Sequence, residues 1–102
     1  MQFAKPLRER IRSGRIRCSI RVWTRPHVKV GGRYRMGDGH VVVDSIAPMK
    51  ESAITHDLAR ESGFESVDEL LTMAKHGRGA NVYLIRFHYL PHGGWDTARA
   101  RR

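Results

Sequence analysis

Residues 81–90, Asn-Val-Tyr-Leu-Ile-Arg-Phe-His-Tyr-Leu, run for ten positions without glycine or proline and interleave Val82 and Leu84 with Tyr83, Ile85, Phe87 and Tyr89. β-branched and aromatic residues at period two, bounded by Arg78-Gly79 and Pro91, read as a strand. It is the strongest strand signal in the chain, and the segments before it must supply the sheet it joins. Residues 18–23 also alternate, with Cys18, Ile20 and Val22 on one side and Ser19, Arg21 and Trp23 on the other, the pattern of a strand with one face in a core. Thr24-Arg25-Pro26-His27 breaks that strand. A turn at Gly31-Gly32 leads into another, Gly37-Asp38-Gly39 makes a hairpin turn, and residues 40–46 return around Val41-Val42-Val43 until Pro48 closes the strand.

Helices are predicted in three places. At residues 5–13, Pro6 suits a first turn, Leu7 and Ile11 share a face, and Gly14 fits the left-handed residue that ends a helix. Residues 55–63 form a helical turn capped by Thr55. The capping box Ser66-Val67-Asp68-Glu69 precedes Leu70, Leu71 and Met73, with a stop at His76-Gly77. The order of elements has no βαβ alternation, which argues against a doubly wound parallel sheet. The expected class is α+β: a small, largely antiparallel sheet curled into a barrel with short helices flanking it. A chain of 102 residues supplies one domain and one modest core. The domain is expected over residues 1–91, followed by a flexible basic tail at 92–102.

Charge is distributed unevenly. Eleven of the first thirty-five residues are Lys or Arg against Glu9 alone. Residues 36–98 hold five basic and nine acidic residues, and Arg99, Arg101 and Arg102 bring the chain to +9. A field this one-sided attracts a polyanion, and phosphate is the commonest one, so RNA or a nucleotide-like ligand is the expected partner. The alternative is a solvated basic face that serves solubility. No apolar run is long enough to span a bilayer, so no membrane partner is expected. Met1 to Pro6 lack the apolar region of a signal peptide. Cys18, the single cysteine, cannot form an internal disulfide. The expectation is a cytoplasmic protein, with a monomer the simplest state.

Chemistry concentrates at Gly14-Arg15-Ile16-Arg17-Cys18-Ser19-Ile20-Arg21, where a helix ends, the chain turns and a strand begins. Ser19 and Arg21 share a strand face about 7 Å apart. Arginine's planar fork suits phosphate or a base edge, which makes this junction an anion or nucleotide cradle; the competing reading is a wet strand face lined by arginines. Trp23 falls on the Ser19/Arg21 face and is the aromatic best placed to stack on a base; Cys18 falls on the opposite face. Arg15, Arg17, Arg21, Trp23, Arg25, Lys29 and Arg33 form the expected ligand-binding set. Glu61 is a surface carboxylate unless the fold brings it against Ser19 and Arg21. The six histidines have no metal-ligand spacing with Cys18, so neither metal nor cofactor is expected. Lys75-His76-Gly77-Arg78-Gly79 lacks the Lys-Ser or Lys-Thr of a phosphate loop.

With these residues in view, the chain resembles an ASCH domain, a branch of the PUA-like superfamily. The resemblance covers about residues 3 to 90. It rests on the 14–21 segment, Val28-Lys29-Val30-Gly31-Gly32-Arg33-Tyr34, the segment Leu58-Ala59-Arg60-Glu61-Ser62-Gly63-Phe64-Glu65-Ser66, and the closing Val82-Tyr83-Leu84-Ile85-Arg86-Phe87. It implies a barrel of five or six strands with flanking helices, and a cleft suited to RNA or a nucleoside. Some small bacterial members are amidohydrolases that deacetylate N4-acetylcytidine, and others are ribonucleases. The amidohydrolases use a Lys two residues after the motif glycine, a Thr three residues later and a Glu on the later helix. Those positions here are Ile16, Ser19 and Glu61, so the hydroxyl and the carboxylate are kept and the lysine is replaced by an aliphatic side chain. Arg21 matches a family arginine that holds an anionic or carbonyl group. The leading expectation is an RNA- or nucleotide-binding module with a basic cleft. The alternative is a hydrolase acting on RNA or a modified nucleoside, with Ser19 and Glu61 as its catalytic residues. A third reading is a regulatory subunit whose basic face meets ribosomal RNA or an acidic partner.

Overall fold

The structure, a computed structural model, describes residues 2–74 and 81–91; the tail at 92–102, the His76-Gly77 helix stop and the Arg78-Gly79 loop lie outside the described residues. Helix α1 (Lys5–Arg12) takes Pro6 into its first turn and buries Ile11, with Leu7 packed alongside. Gly14, at φ +82°, reverses the chain so that the Arg15 and Ile16 N–H groups both return to the Arg10 carbonyl. Four strands follow: β1 (Cys18–Trp23), β2 (Arg33–Met36), β3 (Gly39–Met49) and β4 (Asn81–Leu90). A 3-10 turn (Glu51–Ala53) and helices α2 (His56–Glu61) and α3 (Val67–Ala74) lie between β3 and β4. The Thr55 hydroxyl accepts from the Leu58 N–H at 3.1 Å, and the Ser66 hydroxyl from the Glu69 N–H at 3.1 Å, so both expected caps form.

The strands make one antiparallel sheet in the order β1-β4-β3-β2, so the longest alternating segment takes an interior position and β1 and β2 become the edges. The α+β class and the antiparallel sheet are as expected. The strand number differs: among the described residues there are four, not five or six. β3 also runs three residues past its expected end at 46 and includes Pro48. Beyond Val43 no residue of β2 pairs with β3, so the missing N–H of Pro48 costs no ladder bond on that side.

Two apolar layers sandwich the sheet. Phe3, Ile11, Ile16, Val28 and Met36 meet Val41, Val43, Ile85 and Phe87 on one face. On the other face Ile54, Ala59 and Leu70, carried by the α2–α3 segment, meet Ile20, Val22 and Val82. That second layer covers only part of its face. The rest of it, on β2, β3 and β4, presents Arg33, Arg35, Arg86 and His88 to solvent. A β-bulge sits between Val43 and Ser45, where Val43 faces Phe87, Ser45 faces Arg86, and Asp44 is the extra residue. Without it, the alternation that sends Val41 and Val43 inward would send Ile46 outward. With it, Ile46 pairs with Ile85 and packs on the same layer.

Candidate ligand-binding recess

β1 is an edge strand, and its outer flank opens onto a recess of about 600 Å³. The Phe87 N–H donates to the Arg17 carbonyl at 2.9 Å. In an antiparallel ladder this makes Ser19, Arg21 and Trp23 the hydrogen-bonded partners of Ile85, Tyr83 and Asn81. The backbone groups of Ile20 and Val22 therefore point away from β4, and both residues line the recess although their side chains are buried on the α2–α3 side. One wall comes from the N-terminal segment at Gln2, Phe3 and Leu7, the other from Ser62, Phe64 and Met73.

Among the described residues, Arg21 is the charged group of this recess. Its Nε donates to the Ser19 hydroxyl at 2.8 Å, one terminal nitrogen donates to the Gln2 carbonyl at 2.6 Å, and its Cζ lies 4.9 Å from the centre of the Phe3 ring. Phe3 is fixed in turn by a tilted contact with Phe87 at 5.3 Å. Burial pushes the guanidinium pKa down from its ordinary value. No carboxylate pairs with it among the described residues. A guanidinium carries five N–H donors, and two of those of Arg21 have protein partners. The remaining donors have no partner among the described residues.

Trp23, the aromatic expected to be best placed to stack on a base, is half-buried. It packs on Tyr83 at 6.2 Å and stacks on His27 at 4.6 Å with the ring planes 14° apart. The exposed His27 also lines the recess. Sequence reading placed His27 in a strand break and missed it, and it missed the Gln2 carbonyl and Ser62 as well. Nothing in a one-dimensional pattern joins residues 2, 27 and 62; they meet because the N-terminal segment and the α2–α3 connection flank the same edge strand.

The expected site residues separate in three dimensions. Ser19, Arg21 and Trp23 come together along the recess. Arg15, Arg17, Arg25, Lys29 and Arg33 are exposed and do not line it. They sit at turns and at the opposite edge, where long cationic stems reach water at no desolvation cost; Arg17 folds back onto the Gly14 carbonyl at 3.2 Å. The opening third thus contributes one guanidinium to the hollow, not a ring of them. Glu61 is exposed at the end of α2 and does not line the recess either.

Ile16 is 4 % exposed and belongs to the core, so close to Gly63 (φ +98°) that a side chain there would collide with it. Cys18 is buried on the opposite face, 3.4 Å from the Ser62 hydroxyl, which itself donates to the Leu58 carbonyl. Burial raises the Cys18 thiol pKa; Ser62 offsets this in part, and Glu61 adds to it. Among the described residues no three His, Cys, Asp or Glu side chains gather as a metal site, and no helix is long and apolar enough to cross a membrane.

A recess of this size, with a half-buried cation at its wall, a hydroxyl beside it and stacked rings at its margin, suits a small, flat, partly anionic ligand. Comparison with protein-family models, with curated proteins and with solved structures returns no match to this chain.

Proposed function

We propose that this protein is a binding module of the ASCH, PUA-like kind that takes a nucleotide-like ligand, free or as one residue of an RNA strand, into the recess along β1. The observation that carries the reading is Arg21: a half-buried guanidinium with no acidic partner among the described residues and unused donors beside a hollow of about 600 Å³. A half-buried cation without a counter-charge carries part of its desolvation cost in an empty site, and that cost is offset when the ligand supplies the negative group. The Trp23–His27 pair supports the same reading, because a base can stack at its margin.

The test is calorimetric titration with mononucleotides and their nucleosides. Nucleotide binding is expected, and Arg21→Ala should weaken it by about 1–3 kcal/mol. Equal affinity in the variant would remove the reading. A hydrolase needs a proton acceptor beside Ser19, and among the described residues the recess offers His27 as its one titratable group besides Arg21. Incubation with N4-acetylcytidine is therefore expected to give no turnover; product that vanishes in Ser19→Ala would favour the hydrolase instead.

A further inference from the structure

The half of the sheet that α2 and α3 leave uncovered carries its own pattern. Direct partners in an antiparallel sheet share a face, so register places Arg33, Val42 and His88 in one row across β2, β3 and β4, and Arg35 and His40 in the next. Arg86 lies two residues from His88 on the same face, opposite Ser45. Arg33, Arg35, Arg86 and His88 are exposed, and His40 and Val42 are half-exposed. The rows lie about 7 Å apart along the strands, and the three strands together are about 10 Å wide. Asp44, lifted out by the bulge, is the one acid on this surface among the described residues, and His88 Nδ1 lies 2.9 Å from its carboxylate. The helices over the other half of the face carry Asp57, Glu61, Glu65, Asp68 and Glu69, all exposed, which bounds the basic area on that side.

We infer that this uncovered face of β2, β3 and β4 is a second binding surface, separate from the recess, along which the backbone of single-stranded RNA lies. Charge complementarity identifies the occupant: three guanidinium groups face outward without carboxylate partners among the described residues, each able to hold a phosphate by two donors. The narrow patch suits one strand better than a duplex. RNA is preferred to DNA because the Asp44 carboxylate keeps acceptor capacity beyond its contact with His88, and a 2′-hydroxyl can donate to it. The inference does not depend on the recess holding a ligand.

The test is fluorescence anisotropy with a short labelled oligouridylate over a range of salt. Replacing Arg33, Arg35 and Arg86 together by Gln should make the slope of log affinity against log salt shallower by about 2, since each phosphate released from a single strand contributes about 0.7. A control that removes the same charge at Lys5, Lys50 and Arg60, exposed residues off this face, should keep most of the slope. Amide resonances of residues 33, 35 and 86 should shift on titration of the unaltered protein, a readout that does not rely on the variant folding. Loss of mononucleotide binding in Arg21→Ala and loss of slope in the triple variant report on different surfaces. An unchanged slope in the triple variant, an equal loss in the control, or shifts that avoid these residues would overturn the inference. Equal affinity for DNA of the same base sequence would overturn the choice of RNA, and polyglutamate binding as tightly would make the face a general anion surface.

Discussion

Single side chains decide what the recess can do. Position 16 shows this most directly, because the family resemblance calls for a lysine there and the fold does not accept one. Ile16 is packed against Leu7, with the backbone of Gly63 alongside. The turn around Gly14 aims this side chain into the core, while Ser19 and Arg21 face the recess. Ile16→Lys would bury an ammonium in an apolar cluster, at about 3 kcal/mol or more. Urea denaturation should show that loss, and the substitution should confer no hydrolytic activity. A variant of wild-type stability would mean that position 16 reaches solvent after all. Arg21 is the converse case: its cost of burial is met in part by Ser19, the Gln2 carbonyl and the Phe3 ring, and the remaining need is what the proposed ligand would supply.

Among the elements, those that repeat simply were legible. Period-two alternation located β1 and β4, the cap residues located α2 and α3, and Gly14 and Gly37-Asp38 marked turns that form as expected. The same alternation put Ser19, Arg21 and Trp23 on one face, which is the part of the site that could be read in advance. The full reach of β3 was not legible, because Val41-Val42-Val43 has no period and a bulge leaves no composition signal. Asp44 marks it only through the partners it offsets. Removing that one residue would restore strict alternation, with Val43, Ser45 and Ile46 facing Phe87, Arg86 and Ile85 in unbroken register. Deleting Asp44 should therefore leave a folded protein with a modest fall in melting temperature, whereas deleting Val42 should unfold it by turning inward-facing residues outward. Thermal melts of the two deletions check this; similar losses would show that the bulge, and not the alternation, holds the strand. The recess escaped sequence reading for another reason: its walls come from residues 2–7, 19–27 and 62–74, distant in sequence and joined only by the sheet.

For the molecule as a whole, the sheet divides cations by position: one guanidinium drawn into a hollow beside β1, others spread over an open surface on the opposite side of the sheet near β2. Net charge of +9 described an attraction without saying where it acts. The outer flank of β1 has a further effect. Its amide and carbonyl groups at Ile20 and Val22 offer a template on which a neighbouring molecule's strand can zip up, the first step of ordered clumping. An occupant of the hollow stands in the way of that neighbour and so acts as a guard against self-association. Light scattering on warming should rise earlier for the empty protein than for the protein saturated with nucleotide, by more than any gain in melting temperature explains. Identical onset for both would mean that the flank is already shielded without a guest.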